Sequence, residues 1–121
     1  MLPRWHQLLN GDEAVALPWV VLCGFLRLTT NPRVFPQCLT PEAAWAFVDE
    51  WLDLDITTIP LEKSTHRTVL KLFIEESGTA GNLVTDAHIA SIALTHDAVV
   101  LSCDRDFSRF EGLRVENPLT S

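Results

Sequence analysis

The sequence predicts an α/β fold with a mainly parallel sheet, on three observations. The run Ala98-Val99-Val100-Leu101 is continuously apolar, as expected of a strand covered on both faces. Helical and strand patterns alternate along the chain, which is the signature of βαβ construction. Carboxylates Asp104 and Asp106 follow the apolar strand directly, in the position where open α/β sheets place their ligand sites.

Residues 4–10 read as the last turns of a helix stopped by Gly11 at C′. From Pro18 the chain is almost wholly apolar to Leu28, and the proline suits a first helical position. A strand over residues 20–22 satisfies the same pattern, because a short apolar run has no decisive period. Asn31-Pro32-Arg33 ends that element, and Thr40-Pro41-Glu42 begins the next with an N-cap, a first-turn proline and an acid suited to the helix dipole. Ala44, Phe47, Val48, Trp51 and Leu52 then recur at helical spacing, giving a helix over residues 41–53. Residues 56–59 form a short strand closed by Pro60. Residues 63–76 form a helix with Val69, Leu70 and Phe73 inward. Gly78 and Gly81 mark a turn, Asn82 caps a helix that carries Asp86 and ends near His96, and a strand follows over residues 98–102. A turn over residues 104–110 leads to a last strand near residues 113–115.

With 121 residues, 47% hydrophobic and 21% charged, the chain is expected to fold as one domain over residues 1–121. Arg27 interrupts the longest apolar run, so no span of the roughly 20 residues needed to cross a bilayer exists. The start lacks the apolar centre of a signal peptide, and a cytoplasmic protein without membrane association is expected. Cys23, Cys38 and Cys103 have no paired spacing, so each is expected as a small buried hydrophobe. The net charge of −7 opposes nonspecific binding to nucleic acid; an RNA substrate would need metal ions and a few local arginines.

The carboxylates carry the chemistry. On a helix advancing 100° per residue, Leu83, Ala90 and Ala93 lie within about 60° of Asp86, which places that carboxylate inside the buried arc. Burying it costs several kcal/mol unless it is paired or binds a cation. The ordinary alternative is a first-turn acid serving the helix dipole. Asp104 and Asp106 likewise suit a turn. Their position one helix and one strand after Asp86 brings helix start and strand end to the same sheet edge, and clustered carboxylates there favour a hard divalent cation. His88 falls on the opposite side of its helix from Asp86 and is expected at the surface.

The stretch Asn82-Leu83-Val84-Thr85-Asp86-Ala87-His88-Ile89-Ala90, followed by Leu101-Ser102-Cys103-Asp104-Arg105-Asp106-Phe107, resembles the C-terminal half of VapC-type PIN-domain toxins. The run from Leu17 to Phe35 and the ending Gly112-Leu113-Arg114-Val115-Glu116-Asn117-Pro118-Leu119 are similar to the same toxins. The resemblance covers essentially the whole chain. It implies a PIN-like three-layer sandwich and a Mg²⁺- or Mn²⁺-dependent endoribonuclease acting on RNA of the tRNA or rRNA class. It also implies a VapB-like antitoxin as partner, and a homodimer. By position, Asp86 would be the helix-borne ligand, Asp104 the post-strand ligand and Asp106 an outer or auxiliary acid. Arg27, Arg33 and Arg105 are the candidates for phosphate contact, with ordinary surface cations as the alternative. A degenerate PIN protein that only binds an antitoxin or an intact toxin is the second functional expectation.

Two departures accompany the resemblance. PIN domains begin with an apolar strand ending in an aspartate, and nothing before Gly11 fits it. The sequence is therefore expected to be N-terminally truncated, starting inside the first helical region and short of one strand-helix unit, on the order of 30 residues. Gly24 stands where many members place a glutamate.

Overall fold

The computed structural model describes Gln7, Gly11, residues 13–78, Gly81, residues 83–102 and residues 104–117. Two compact units divide the chain, one formed by residues 6–59 and the other chiefly by residues 60–121. Of the helix expected over residues 4–10 only Gln7 is among the described residues, and the expected cap Asn82 lies outside them.

In the first unit, strand β1 (Val15–Ala16) pairs in parallel with β2 (Thr57–Thr58), in register Val15↔Thr57. Helix α1 (Trp19–Thr29) and helix α2 (Pro41–Leu52) connect them. The ambiguous apolar run is therefore helix. Pro18 sits at its N-cap in an extended conformation, and its carbonyl accepts from the Val21 and Leu22 amides at 2.9 and 3.1 Å. The proline fixes the φ needed there and gives up no amide the helix would use. Two threonines close α1: the Thr29 and Thr30 hydroxyls donate to the Phe25 and Leu26 carbonyls at 2.8 and 2.7 Å. Helix α2 starts as its sequence dictates, with Thr40 Oγ1 accepting from the Ala43 amide at 3.1 Å and Pro41 in the first turn. Leu22, Ala44 and Val48 are buried, and Phe25 meets Trp51 edge-to-face with ring centroids 4.8 Å apart.

In the second unit, helix α3 (His66–Ser77) packs on helix α4 (Leu83–Thr95). Helix α3 begins three residues later than its sequence pattern suggests, because Lys63 closes a turn in which its carbonyl accepts from the His66 amide. It stops at Gly78, whose φ of 73° is a left-handed conformation open to glycine. Strand β3 (Val100–Leu101) pairs in parallel with β4 (Val115–Glu116), in register Val100↔Val115. Between them the expected turn is a 3-10 helix over Arg105–Arg109. The core comprises Phe73 of α3, Ala87, Ala90 and Ala93 of α4, Val100 of β3, and Phe107 and Phe110. Its alanines leave room for rings, and Phe73 and Phe110 pack in a tilted pair with centroids 5.0 Å apart.

The turn from α4 into β3 passes through Asp97, the described non-glycine residue with positive φ, at 53°. Arg114, just before β4, donates from one Nη to the Asp97 carbonyl at 2.8 Å and to its carboxylate at 2.9 Å. Every strand pairing among the described residues is parallel, so the architecture is α/β with parallel strands. Among the described residues no helix is long and apolar enough to cross a membrane.

Candidate metal centre

Asp86 lies in the first turn of α4. Its neighbours Leu83, Ala87 and Ala90 are buried, and Asp86 itself is half-buried. Asp104 follows β3 and caps the 3-10 helix: one of its carboxylate oxygens accepts from the Asp106 amide at 2.9 Å. Its own amide donates to Ser102 Oγ at 3.0 Å. This Ser102–Asp104–Asp106 turn aims two carboxylates from one short segment, with Asp104 exposed and Asp106 half-buried.

The turn and the start of α4 converge. Asp86, Asp104 and Asp106 each present an oxygen, and the three oxygens lie within 4.8 Å of one another. Burial raises the proton affinity of Asp86 above the ordinary carboxylate range, and the charges of Asp104 and then Asp106 raise it further. A cation placed among the three carboxylates would offset that repulsion. Two oxygens on opposite sides of a Mg²⁺ ion at about 2.1 Å stand about 4.2 Å apart. Neighbouring ligands of such an ion stand about 3 Å apart, so the three oxygens close inward by up to about 0.7 Å each to hold it, and all-oxygen donors match the hard ions Mg²⁺ and Mn²⁺.

The candidate arginines stand in different places. Arg27 is exposed in the last turn of α1, and Arg33 is exposed in the following turn, where its amide donates to Asn31 Oδ1 at 2.9 Å. Both belong to the unit of residues 6–59. Arg105 opens the 3-10 helix and is exposed. Among the described residues the cation ion-paired with the trio is Arg109, whose Nε is 3.6 Å from Asp106 Oδ1, a residue the sequence does not single out.

His88 is not the plain surface histidine expected. It is half-buried; its Nδ1 lies 3.0 Å from His66 Nε2 and its Nε2 lies 3.6 Å from Glu62 Oε1. It does face away from Asp86, and its partners come from α3 and the segment before it. Which of the two rings donates in the His66–His88 hydrogen bond depends on the tautomers. His66 Nδ1 is buried without a hydrogen-bond partner. Burial lowers the His66 pKa, the neighbouring His88 lowers it further, and Glu62 opposes both. The cysteines also differ from expectation: Cys23 is exposed on α1 and Cys38 half-buried, both as free thiols. Cys103 lies outside the described residues.

An α/β unit that gathers three aspartates at a helix start and a strand end defines an acidic-centre protein, and comparison identifies the kind. The PIN-domain family model matches residues 4–113, and the chain belongs to the PIN-domain family. Its relatives include Ribonuclease VapC37 of Mycobacterium tuberculosis, 39% identical over 95% of this chain and 81% of that protein. Ribonuclease VapC43 of the same species is 38% identical over 94% of this chain and 78% of that protein. Among solved structures, VapBC2 from Rickettsia felis, bound to a DNA fragment from its promoter, superposes with a TM-score of 0.68 at 19% identity. That match covers 96% of this chain and 83% of the other, and it shows the shared fold.

Proposed function

We propose that this chain is a VapC-type endoribonuclease, the toxin of a type II toxin–antitoxin pair, which hydrolyses RNA phosphodiester bonds with Mg²⁺ or Mn²⁺. The observation that carries the reading is the convergence of the Asp86, Asp104 and Asp106 oxygens within 4.8 Å in a chain of the PIN family. Relatives named as VapC ribonucleases support it. Asp86 and Asp104 are the principal ligands and Asp106 the auxiliary one. When bound, the ion supplies water activation and offsets the charge that grows on the phosphate oxygens.

The residues of the chain do the positioning. The Asp106 amide holds one oxygen of Asp104, which leaves the other directed by that hydrogen bond. Partial burial and the neighbouring charges of Asp104 and Asp106 penalise the ionised form of Asp86, a penalty that a cation would offset. Arg27, Arg33 and Arg105 are candidate contacts for RNA phosphates, the local cations that a chain of net charge −7 requires. The chain works as one PIN domain in the cytoplasm, acts on RNA of the tRNA or rRNA class, pairs with a VapB-like antitoxin and forms a homodimer. The solved VapBC2 complex, a toxin with its antitoxin, supports the choice of partner.

Incubating the protein with RNA and Mn²⁺ tests the reading, with Mn²⁺ binding followed by calorimetry. Cleavage that Asp86→Ala abolishes, together with a calorimetric Mn²⁺ site, is the expected result. Absence of both cleavage and Mn²⁺ binding would overturn it in favour of a non-catalytic partner-binding role. Hydrolysis of a simple phosphomonoester without RNA cleavage would redirect it to another phosphohydrolase.

A further inference from the structure

Among the described residues the acidic trio has one counter-charge of its own. Asp106 stands in the first turn of the 3-10 helix and Arg109 ends it, and this three-residue spacing brings Arg109 Nε to 3.6 Å from Asp106 Oδ1. Among the described residues Arg109 is the one cation ion-paired with any of the three aspartates. Both side chains are about half exposed, at 53% and 43%, so the pair adds little to folding stability. A fixed positive charge also works against a metal ion at the same carboxylates. Neither stability nor metal affinity accounts for an arginine here.

Its donor set suits an anion that arrives with the metal. A guanidinium carries five N–H donors in one plane, and the two terminal nitrogens hold four of them. With Nε turned toward Asp106, those four face no hydrogen-bond acceptor among the described residues. They form the planar fork that matches the oxygens of a phosphate. Charge balance agrees. Three carboxylates and one arginine leave two negative charges, which a divalent ion cancels, so a phosphodiester meets a neutral centre. Without Arg109 it would meet a negative one.

We propose that Arg109 is the phosphate-binding residue of this centre, oriented by Asp106 through Nε and presenting its terminal N–H groups to a non-bridging oxygen of the RNA backbone. The assignment rests on the ribonuclease reading above. It gives Asp106 a second task, orienting the arginine as well as facing the cation.

The test compares the full chain with Arg109→Gln and Arg109→Lys, following RNA cleavage with Mn²⁺ across a series of KCl concentrations. Arg109→Gln should lower kcat/KM by about tenfold or more, mainly through KM, as expected for losing a charged hydrogen bond. It should also flatten the dependence of log(kcat/KM) on log[KCl] by about 0.7, the contribution of one phosphate contact on a single strand. Arg109→Lys should keep the salt slope and recover part of the loss. Calorimetric Mn²⁺ affinity without RNA should be equal or tighter in Arg109→Gln. An unchanged salt slope, or a loss of Mn²⁺ affinity that accounts for the activity loss, would overturn the assignment. If the wild type cleaves no RNA, the ribonuclease reading fails. Arg109 is then judged on anisotropy of a fluorescein-labelled single-stranded RNA, where equal binding by wild type and Arg109→Gln overturns it too.

Discussion

Replacing Asp86 with asparagine should stabilise the metal-free protein while abolishing its response to metal. Asp86 is half-buried and faces two other carboxylates within 4.8 Å. At that separation each repulsion is about 0.9 kcal/mol at the dielectric of water and about 3.5 kcal/mol at an effective dielectric of 20. Asp104 is exposed, so the lower figure governs, and two pairs give about 2 kcal/mol. Asp86 also favours the first turn of α4 through the helix dipole, worth about 0.5 kcal/mol that asparagine forgoes. The net expectation is about 1.5 kcal/mol of added stability, or a melting temperature higher by roughly 5 °C for a chain of this size.

The pH dependence follows from the sign of the shift. Folding raises the Asp86 pKa. Its favourable contribution is complete below the ordinary carboxylate pKa and is lost as pH rises through the elevated folded value. The gap between Asp86→Asn and wild type should therefore close in acid and open toward neutrality. Thermal melts in EDTA and in excess Mn²⁺, repeated across pH, supply the assay. In Mn²⁺ the wild type should gain about 2.7 kcal/mol at a hundredfold excess over Kd, and Asp86→Asn should gain little. A destabilised Asp86→Asn in EDTA, or equal Mn²⁺ stabilisation of both proteins, would refute the reasoning.

Two further outcomes test the frame around the centre. Phe73 is 1% exposed and packs against Phe110, so Phe73→Ala should cost about 3–5 kcal/mol in urea denaturation; a loss below about 1 kcal/mol would mean that the ring is not part of a close-packed core. The lowered pKa of His66 means that the folded protein favours the neutral ring. That stability is present above the ordinary histidine pKa and declines as pH falls through the folded value. His66→Gln should flatten the fall in urea stability between neutral pH and roughly pH 5, and an unchanged pH profile would exclude His66 as its source.

The parts of this structure legible in the sequence are those encoded locally. Thr40-Pro41-Glu42 specifies the start of α2 with three adjacent residues, each with its own mechanism. Convergence of Asp86 with Asp104 and Asp106 was also legible, because a helix start and the end of the next strand must share a sheet edge. Strand β1 was not, since two residues, Val15 and Ala16, carry no period. The His66–His88 contact joins residues 22 apart on two helices, and no spacing rule announces which faces will meet. Arg109 is not legible in the sequence for a simpler reason. Read as a turn, residues 104–110 have no three-residue face; as a 3-10 helix they do.

The clasp between Arg114 and Asp97 bears on the acidic centre without touching it. Strands β3 and β4 share a ladder of only two residue pairs, and so short a ladder resists slippage poorly by itself. Arg114 anchors the entrance of one strand to the entrance of its neighbour, and Asp104 leaves from the far end of β3 only three residues after Leu101. A slip of one position would turn the side chains of the strand to opposite faces and carry the aspartates away from α4. The contact is exposed, at 59% for Arg114 and 97% for Asp97, so it adds little energy by itself; its effect is local, tying a bent backbone to the start of the neighbouring strand at the margin opposite the carboxylates.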